Sequence, residues 1–361
     1  MSMLYRFFTF LLMLLMLSCV KEINLDDLRP EPSMVVNCVA ISGEPLRVHV
    51  SRTWFYTEYS PVVTIDNAKV DLYVNGVHRE TLAYDGGDPI FNFPGSYNSG
   101  YIPAEGDKIA VIATAPGYGK AEAETVIPAP AKLVNSKMEL QLVDSMMSSM
   151  IRYRATFQLT LRDEADVDNY YWIRMEEGYP IFDTDEMRYT GDYYWMDMTI
   201  DYSSEPTLGG NINALDEIFG VTNMIGSNGL AFSDELFDGE DYTMRMFDNY
   251  FFMYDNVHFV GSVSRYDIDE ELLKPIPPMR LRTHLYSISR DYYLYLKSLQ
   301  DQSGNSFSNI LIDAGLAEPV KVYSNINGGV GMFGGCHEGH LDSDIIFLSP
   351  KVNAARLKDG I

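Results

Sequence analysis

AKVDLYVNG, residues 68–76, sets Val70, Leu72 and Val74 on alternate positions and closes on Asn75-Gly76. A period of two marks a strand with one face in a core and the other in water. Asn and Gly both tolerate the positive φ of a two-residue hairpin turn. The same period runs outward through MVVNCVA (34–40), PLRVHVSRTW (45–54) and KIAVIATAPGY (108–118). Ser42-Gly43, Gly86-Gly87 and Glu105-Gly106-Asp107 punctuate these runs. Short alternating strands with no helical stripe predict an immunoglobulin-like or transthyretin-like β-sandwich over 34–130. The PAPA stretch at 128–131 is the expected boundary.

Residues 131–361 read as a larger β-rich domain, so the fold class is mainly β. YRATFQLTL (153–161), YYWIRME (170–176), HFVGSVSRYDI (258–268) and MRLRTHLYSI (279–288) are expected strands. In the last of these, apolar residues and Thr283 alternate with charge or His. Residues 177–250, rich in Tyr, Met, Gly and acids, are expected to form long loops with short strands. One amphipathic helix is expected near 288–300, where Ile288, Tyr292, Tyr295, Leu296 and Leu299 share a face. Ser287 or Ser289 is placed to cap its start, and Gly304 follows its end.

The N-terminus carries an export signal. After Arg6, FFTFLLMLLML (7–17) is apolar except for Thr9 and too short to cross a bilayer, which takes about 20 such residues. It ends at MLSC (16–19), a small residue before a cysteine, where a lipoprotein signal peptidase would cut. Residues 1–18 are thus the expected signal peptide and Cys19 the lipidated residue. Two or more acyl chains on Cys19 would anchor stably where one would not. Residues 19–33, polar and interrupted by Pro30 and Pro32, are the expected tether.

Loss of Arg6 takes the formal charge from −24 to −25. A polyanion of this size should repel nucleic acid and anionic lipid surfaces, so DNA or RNA binding is disfavoured. Cys38 and Cys336 are the other cysteines, and two buried or free thiols are the expectation, although their separation alone permits a disulfide.

No nucleophile elbow, Walker loop or dinucleotide fingerprint occurs, and no cofactor is implied. CHEGHLDSD (336–344) offers His337, Glu338, His340, Asp342 and Asp344, whose imidazoles and carboxylates suit zinc. His337 and His340 are weak metal candidates, because they stand three apart instead of the four that share a helical face. Gly334, Gly335 and Gly339 favour a loop there. Asp163, Glu164, Asp166 and Asp168 crowd one turn in a spacing that is not an EF-hand's, and solvated turn acids are expected. DYYWMDMTIDY (192–202) presents aromatics suited either to a core or to a ligand.

One ordered series runs along nearly the whole mature chain. It comprises the lipobox cysteine, VVN, GEPLRVHVSRTW, NAKVDLYVNG, SDELFDGEDYTM (233–244), LYSISRDYYLYLKSLQ (285–300) and EPVKVYSNINGGVGMFGG (318–335). It resembles the Bacteroidota lipoproteins of the domain-of-unknown-function 4249 family. NILIDAGL (309–316) and the CHEGH stretch depart from that pattern. The resemblance implies two β-rich domains on an outer-membrane lipid anchor facing the cell exterior, and an accessory role beside a TonB-dependent transporter in uptake or envelope assembly. It carries no catalytic residues.

Three functions follow as expectations. The first is a non-enzymatic surface lipoprotein that binds a transporter barrel. The second is a stand-alone binder of a glycan, peptide or small molecule through the aromatics of 170–202, Trp195 among them. The third and weakest is a metal-dependent hydrolase centred on His337, Glu338 and His340. The glycines of 328–335 are expected to let backbone approach closely, with packing between the two domains favoured over a ligand.

Overall fold

The structure, a computed structural model, describes residues 29–348 apart from 56, 59–62, 88–93, 148–149, 199, 201, 203–204, 210–229, 254–256 and 304–320. The first nine strands are β1 (Met34–Ile41), β2 (Arg47–Arg52), β3 (Val63–Thr64), β4 (Lys69–Val74), β5 (Val77–Thr81), β6 (Ala83–Tyr84), β7 (Tyr97–Asn98), β8 (Lys108–Ala115) and β9 (Gly119–Val126). Ten follow: β10 (Lys132–Met147), β11 (Met150–Arg162), β12 (Tyr170–Asp183), β13 (Arg188–Asp197), β14 (Leu230–Ser233), β15 (Asp241–Met253), β16 (His258–Val260), β17 (Arg280–Ile288), β18 (Val330–Asp344) and β19 (Ile346–Leu348). One helix longer than a turn or so stands among the described residues, Arg290–Ser303. The mainly-β expectation holds, and so does the single amphipathic helix.

The alternation read in the sequence is the core itself. Met34, Val36, Cys38 and Ala40 of β1, Val48 and Val50 of β2, Val70 and Leu72 of β4, and Ile109, Val111 and Ala113 of β8 are buried together. They fill the space between the sheet β5-β4-β8-β9 and the β1-β2-β7-β6 part of a second, larger sheet. Asn75 and Gly76 turn the β4–β5 hairpin with φ of 52° and 79°.

A second core joins the sheet β15-β11-β10-β19 to the other end of the large sheet, β13-β12-β17-β18. Phe157, Leu159, Met138, Leu140, Met244 and Met246 meet Ile173, Met175, Leu281 and Leu285 there. Burying each of these side chains is worth roughly 1.5–3 kcal/mol. Residues 177–250 depart from expectation: β12 runs on to Asp183 and β15 spans thirteen residues. HFVGSVSRYDI also differs, being a strand only over β16. Gly261 then takes φ of 113°, which a larger residue would resist, and a 3-10 turn covers Arg265–Asp267.

β18 ties the large sheet together. Its first half pairs in parallel with β1, from Val35–Val330 to Ile41–Cys336. Its second half pairs antiparallel with β17, from Ile288–Cys336 to Arg280–Asp344. CHEGHLDSD is therefore strand, where its glycines had suggested a loop. The glycines serve tight packing instead. At Gly331, with φ of 121°, a Cβ would lie 2.2 Å from the Val36 carbonyl oxygen, and at Gly334 one would lie 2.6 Å from Tyr292 Cβ. At Gly328 and Gly335 one would lie 2.3 Å from the carbonyl oxygens of Lys120 and Val126, so the close approaches are to β1, to β9 and to the helix.

A candidate recognition face on the large sheet

The face of β13-β12-β17-β18 turned away from the second core carries ordered rows of charge and aromatic rings. Pairing across β17 sets its Arg280, Arg282, His284 and Tyr286 opposite Gly178, Glu176, Arg174 and Trp172 of β12. On the other side the same four stand opposite Asp344, Asp342, His340 and Glu338 of β18. β13 adds Asp197, Trp195 and Tyr193 beside Glu176, Gly178 and Pro180. Strand alternation alone brings these residues to one face.

Within the rows each arginine is held. Arg282 donates from Nε and Nη2 to the two carboxylate oxygens of Asp342, 2.7 Å each. Its guanidinium carbon lies 3.8 Å from the centre of the Trp195 ring. That pairing holds the Asp342 carboxyl below the usual carboxylate range. Arg174 donates to Asp197 from Nε at 2.9 Å and pairs with Glu176 at 2.7 Å. Arg280 lies over Tyr193, 4.6 Å from the ring centre, and approaches Asp344 at 3.6 Å. Trp195 lies against Gly178, where a Cβ would come 2.8 Å from the indole. Any larger residue at 178 would push the ring off the sheet.

His284 stands between two carboxylates, its Nδ1 2.7 Å from Glu338 Oε1 and its Nε2 3.0 Å from Glu176 Oε2. A neutral imidazole has one N–H and ionised carboxylates only accept, so both contacts are hydrogen bonds at once only when a second proton is shared among the three groups. Toward the helix the face turns aromatic. Trp172 stacks on Tyr286 at 4.7 Å and Tyr170 on Tyr293 at 4.8 Å. The helix is capped by Ser289, whose Oγ accepts from Tyr292 N–H at 3.4 Å and from Gly335 N–H at 3.0 Å. The tyrosine stripe thus packs on the sheet, over Cys336 and Ile288.

The metal candidates do not converge. In a strand His337 and His340 point to opposite faces. His337 Nδ1–H donates to the Pro128 carbonyl at 3.1 Å, whereas His340 is exposed, 6.2 Å ring to ring from His284. Glu338, Asp342 and Asp344 do share the outer face with His340, engaged by His284, Arg282 and Arg280. Cys38 and Cys336 are both free and buried, one in the first core and the other beneath the helix.

A different acidic group assembles instead. Asp163, Asp234 and Asp238 bring one oxygen each within 4.8 Å of the others, the one such group of His, Cys, Asp or Glu among the described residues. Asp163 is buried, not solvated as expected, while Glu164, Asp166 and Asp168 are exposed. Its oxygens accept from the Tyr171 hydroxyl at 2.6 Å and the Gly239 N–H at 2.9 Å. Asp234 accepts the Asn169 N–H at 2.6 Å, and Asp238 the Asp166 N–H at 3.0 Å. Burial, with Asp163 nearby, raises the Asp234 carboxyl above its usual range. Protein donors hold these carboxylates, and the effect is to stitch the 163–168 turn to the SDELFDGE run. Three carboxylates could ligate a hard cation, but only by competing with those bonds.

The sequence had named Trp195 and the β18 carboxylates but not Arg174, Glu176, Arg280, Arg282 or His284. The signal for the last three was present, since charge and His alternate with apolar residues through MRLRTHLYSI. A family model described as a domain of unknown function, DUF4249, matches residues 20–341. No curated protein matches the chain.

Proposed function

The chain belongs to the DUF4249 family, and from that premise we propose a non-enzymatic lipoprotein, held through Cys19 on the outer membrane and facing the exterior, that serves as an accessory to a TonB-dependent transporter. The lipobox and the proline-interrupted tether support the anchor. The outer face of β13-β12-β17-β18 is the observation that carries a binding role. Its arginines, carboxylates and rings are already fixed by one another, so a partner meets groups that need little ordering. It also reaches well away from where the tether joins the fold. β1 and β18 start together at Val35 and Val330, and β18 then continues to Asp344, about 46 Å at 3.3 Å per residue.

Purification from detergent-solubilised outer membrane under native expression tests this reading. A transporter barrel should accompany the protein, and Arg280→Glu with Arg282→Glu should release it. A monodisperse lipoprotein with no barrel would count heavily against it. The positions of Tyr193 and Trp195 on this face, outside either core, favour a second reading, recognition of a glycan or peptide without a barrel. Array binding that is flat with and without Trp195→Ala removes that version.

A further inference from the structure

Trp54 is 47% exposed, and it stands in the loop that receives the N-terminal segment. Ser33 N–H donates to Thr53 Oγ1 at 2.9 Å, and Thr53 N–H to the Ser33 carbonyl at 2.9 Å. Arg29 donates to Glu58 at 3.2 Å and lies 5.6 Å from the centre of the Phe55 ring. Arg52, at the end of β2, donates to the other oxygen of Glu58 at 2.8 Å. These contacts fix where the tether leaves the fold, beside Trp54 and Phe55.

Nine residues lie between Cys19 and Arg29, a reach of at most about 35 Å even when fully extended. Acyl chains on Cys19 would therefore keep this end of the molecule close to the bilayer. Resting on that lipidation, we propose that Trp54, with Phe55 beside it, enters the headgroup region of the same bilayer and sets the molecule's orientation on it. An indole has an apolar body and one N–H, the combination that collects at membrane–water interfaces. Local charge permits the approach. Arg29 and Arg52 balance Glu58 and Glu31 here, in a chain whose formal charge is −24 overall. With this loop seated, β1 leads away from the membrane and the arginine–aromatic face stands at the distal end.

The test uses the acylated full-length protein, purified in detergent and reconstituted into phosphatidylcholine vesicles containing lipid brominated high on its acyl chains. Bromine quenches only nearby indoles. Trp172 and Trp195 lie on the outer sheet face, so the Trp54 contribution is the part of the emission that Trp54→Phe removes. The expected result is loss of that part on brominated vesicles and little quenching of the Trp54→Phe protein. Equal quenching of the two proteins, or none in either, with both vesicle-bound, overturns the inference and leaves the anchor standing. Intact mass of the purified protein separates the two ideas. Absence of acyl groups on Cys19 would remove the anchor itself and, with it, this inference.

Discussion

Arg282 grips both oxygens of Asp342 while its guanidinium lies over Trp195, so a residue of β17 holds partners on β18 and β13 at the same time. Arg282→Ala should lower the unfolding free energy by about 2 kcal/mol, the scale of lost charge-assisted bonds. Trp195→Ala should cost about 1 kcal/mol. Urea melts of both variants and the double variant should give a coupling of about 0.5–1 kcal/mol. Lysine at 282 should recover only part, since an ammonium cannot fork.

Two aspartates should give stability opposite slopes against pH. Asp342 titrates below its unfolded value because of Arg282. Its contribution is present above the unfolded pKa and disappears as pH falls through the folded one. Asp234 titrates above its unfolded value, because burial penalises the anion. It therefore costs stability at neutral pH, and the cost fades as pH falls through its folded pKa. Asp234→Asn should be more stable than the wild type at pH 7, with the difference closing on acidification. Denaturation midpoints at several pH values check the sign.

Alanine at Gly331 combines φ of 121° with a Cβ placed 2.2 Å from the Val36 carbonyl. Neither backbone can give way, and the loss should be about 3 kcal/mol or more. Alanine at Gly334 meets the Cβ of Tyr292, which the helix can carry outward at about 1–3 kcal/mol. Thermal melts should rank the two in that order.

Both remaining thiols should be silent to a thiol reagent in the native protein and react together on unfolding. Desolvation pushes the Cys336 thiol up to about 12 and the Cys38 thiol higher still. An aromatic disulfide reagent with and without denaturant counts them. Mass after alkylation under denaturing, non-reducing conditions should show no disulfide.

Much of this architecture was legible wherever a strand has one wet face and one dry face. β1, β2, β4, β8, β11 and β17 all announce themselves by alternation, and the helix by its stripe. β13 did not, because it is an edge strand exposed along most of its length. β15 hid its inward Met244 and Met246 among Tyr242 and Phe247. β18 carries glycines for lack of room, and composition alone reads glycine as a loop. The recognition face was half legible. Alternation placed Arg280, Arg282 and His284 on one side of a strand, but their partners come from β12, β13 and β18, over distances along the chain that no local pattern reports. The Asp163–Asp234 contact is of the same kind: each turn is visible, their meeting is not.

β18 also imposes an order in time. Among the described residues only β19 follows it, yet it stands between β17 and β1 in the middle of the largest sheet. Neither half can finish until the ribosome has delivered residue 344, because β1 lacks its parallel neighbour and β17 lacks an entire side until then. Pairing so late and so far along the chain makes folding slow. For a precursor that must thread a translocon unfolded, as the proposed signal peptide requires, that delay is protective. A chain stopped short of β18 should leave both halves open to proteases.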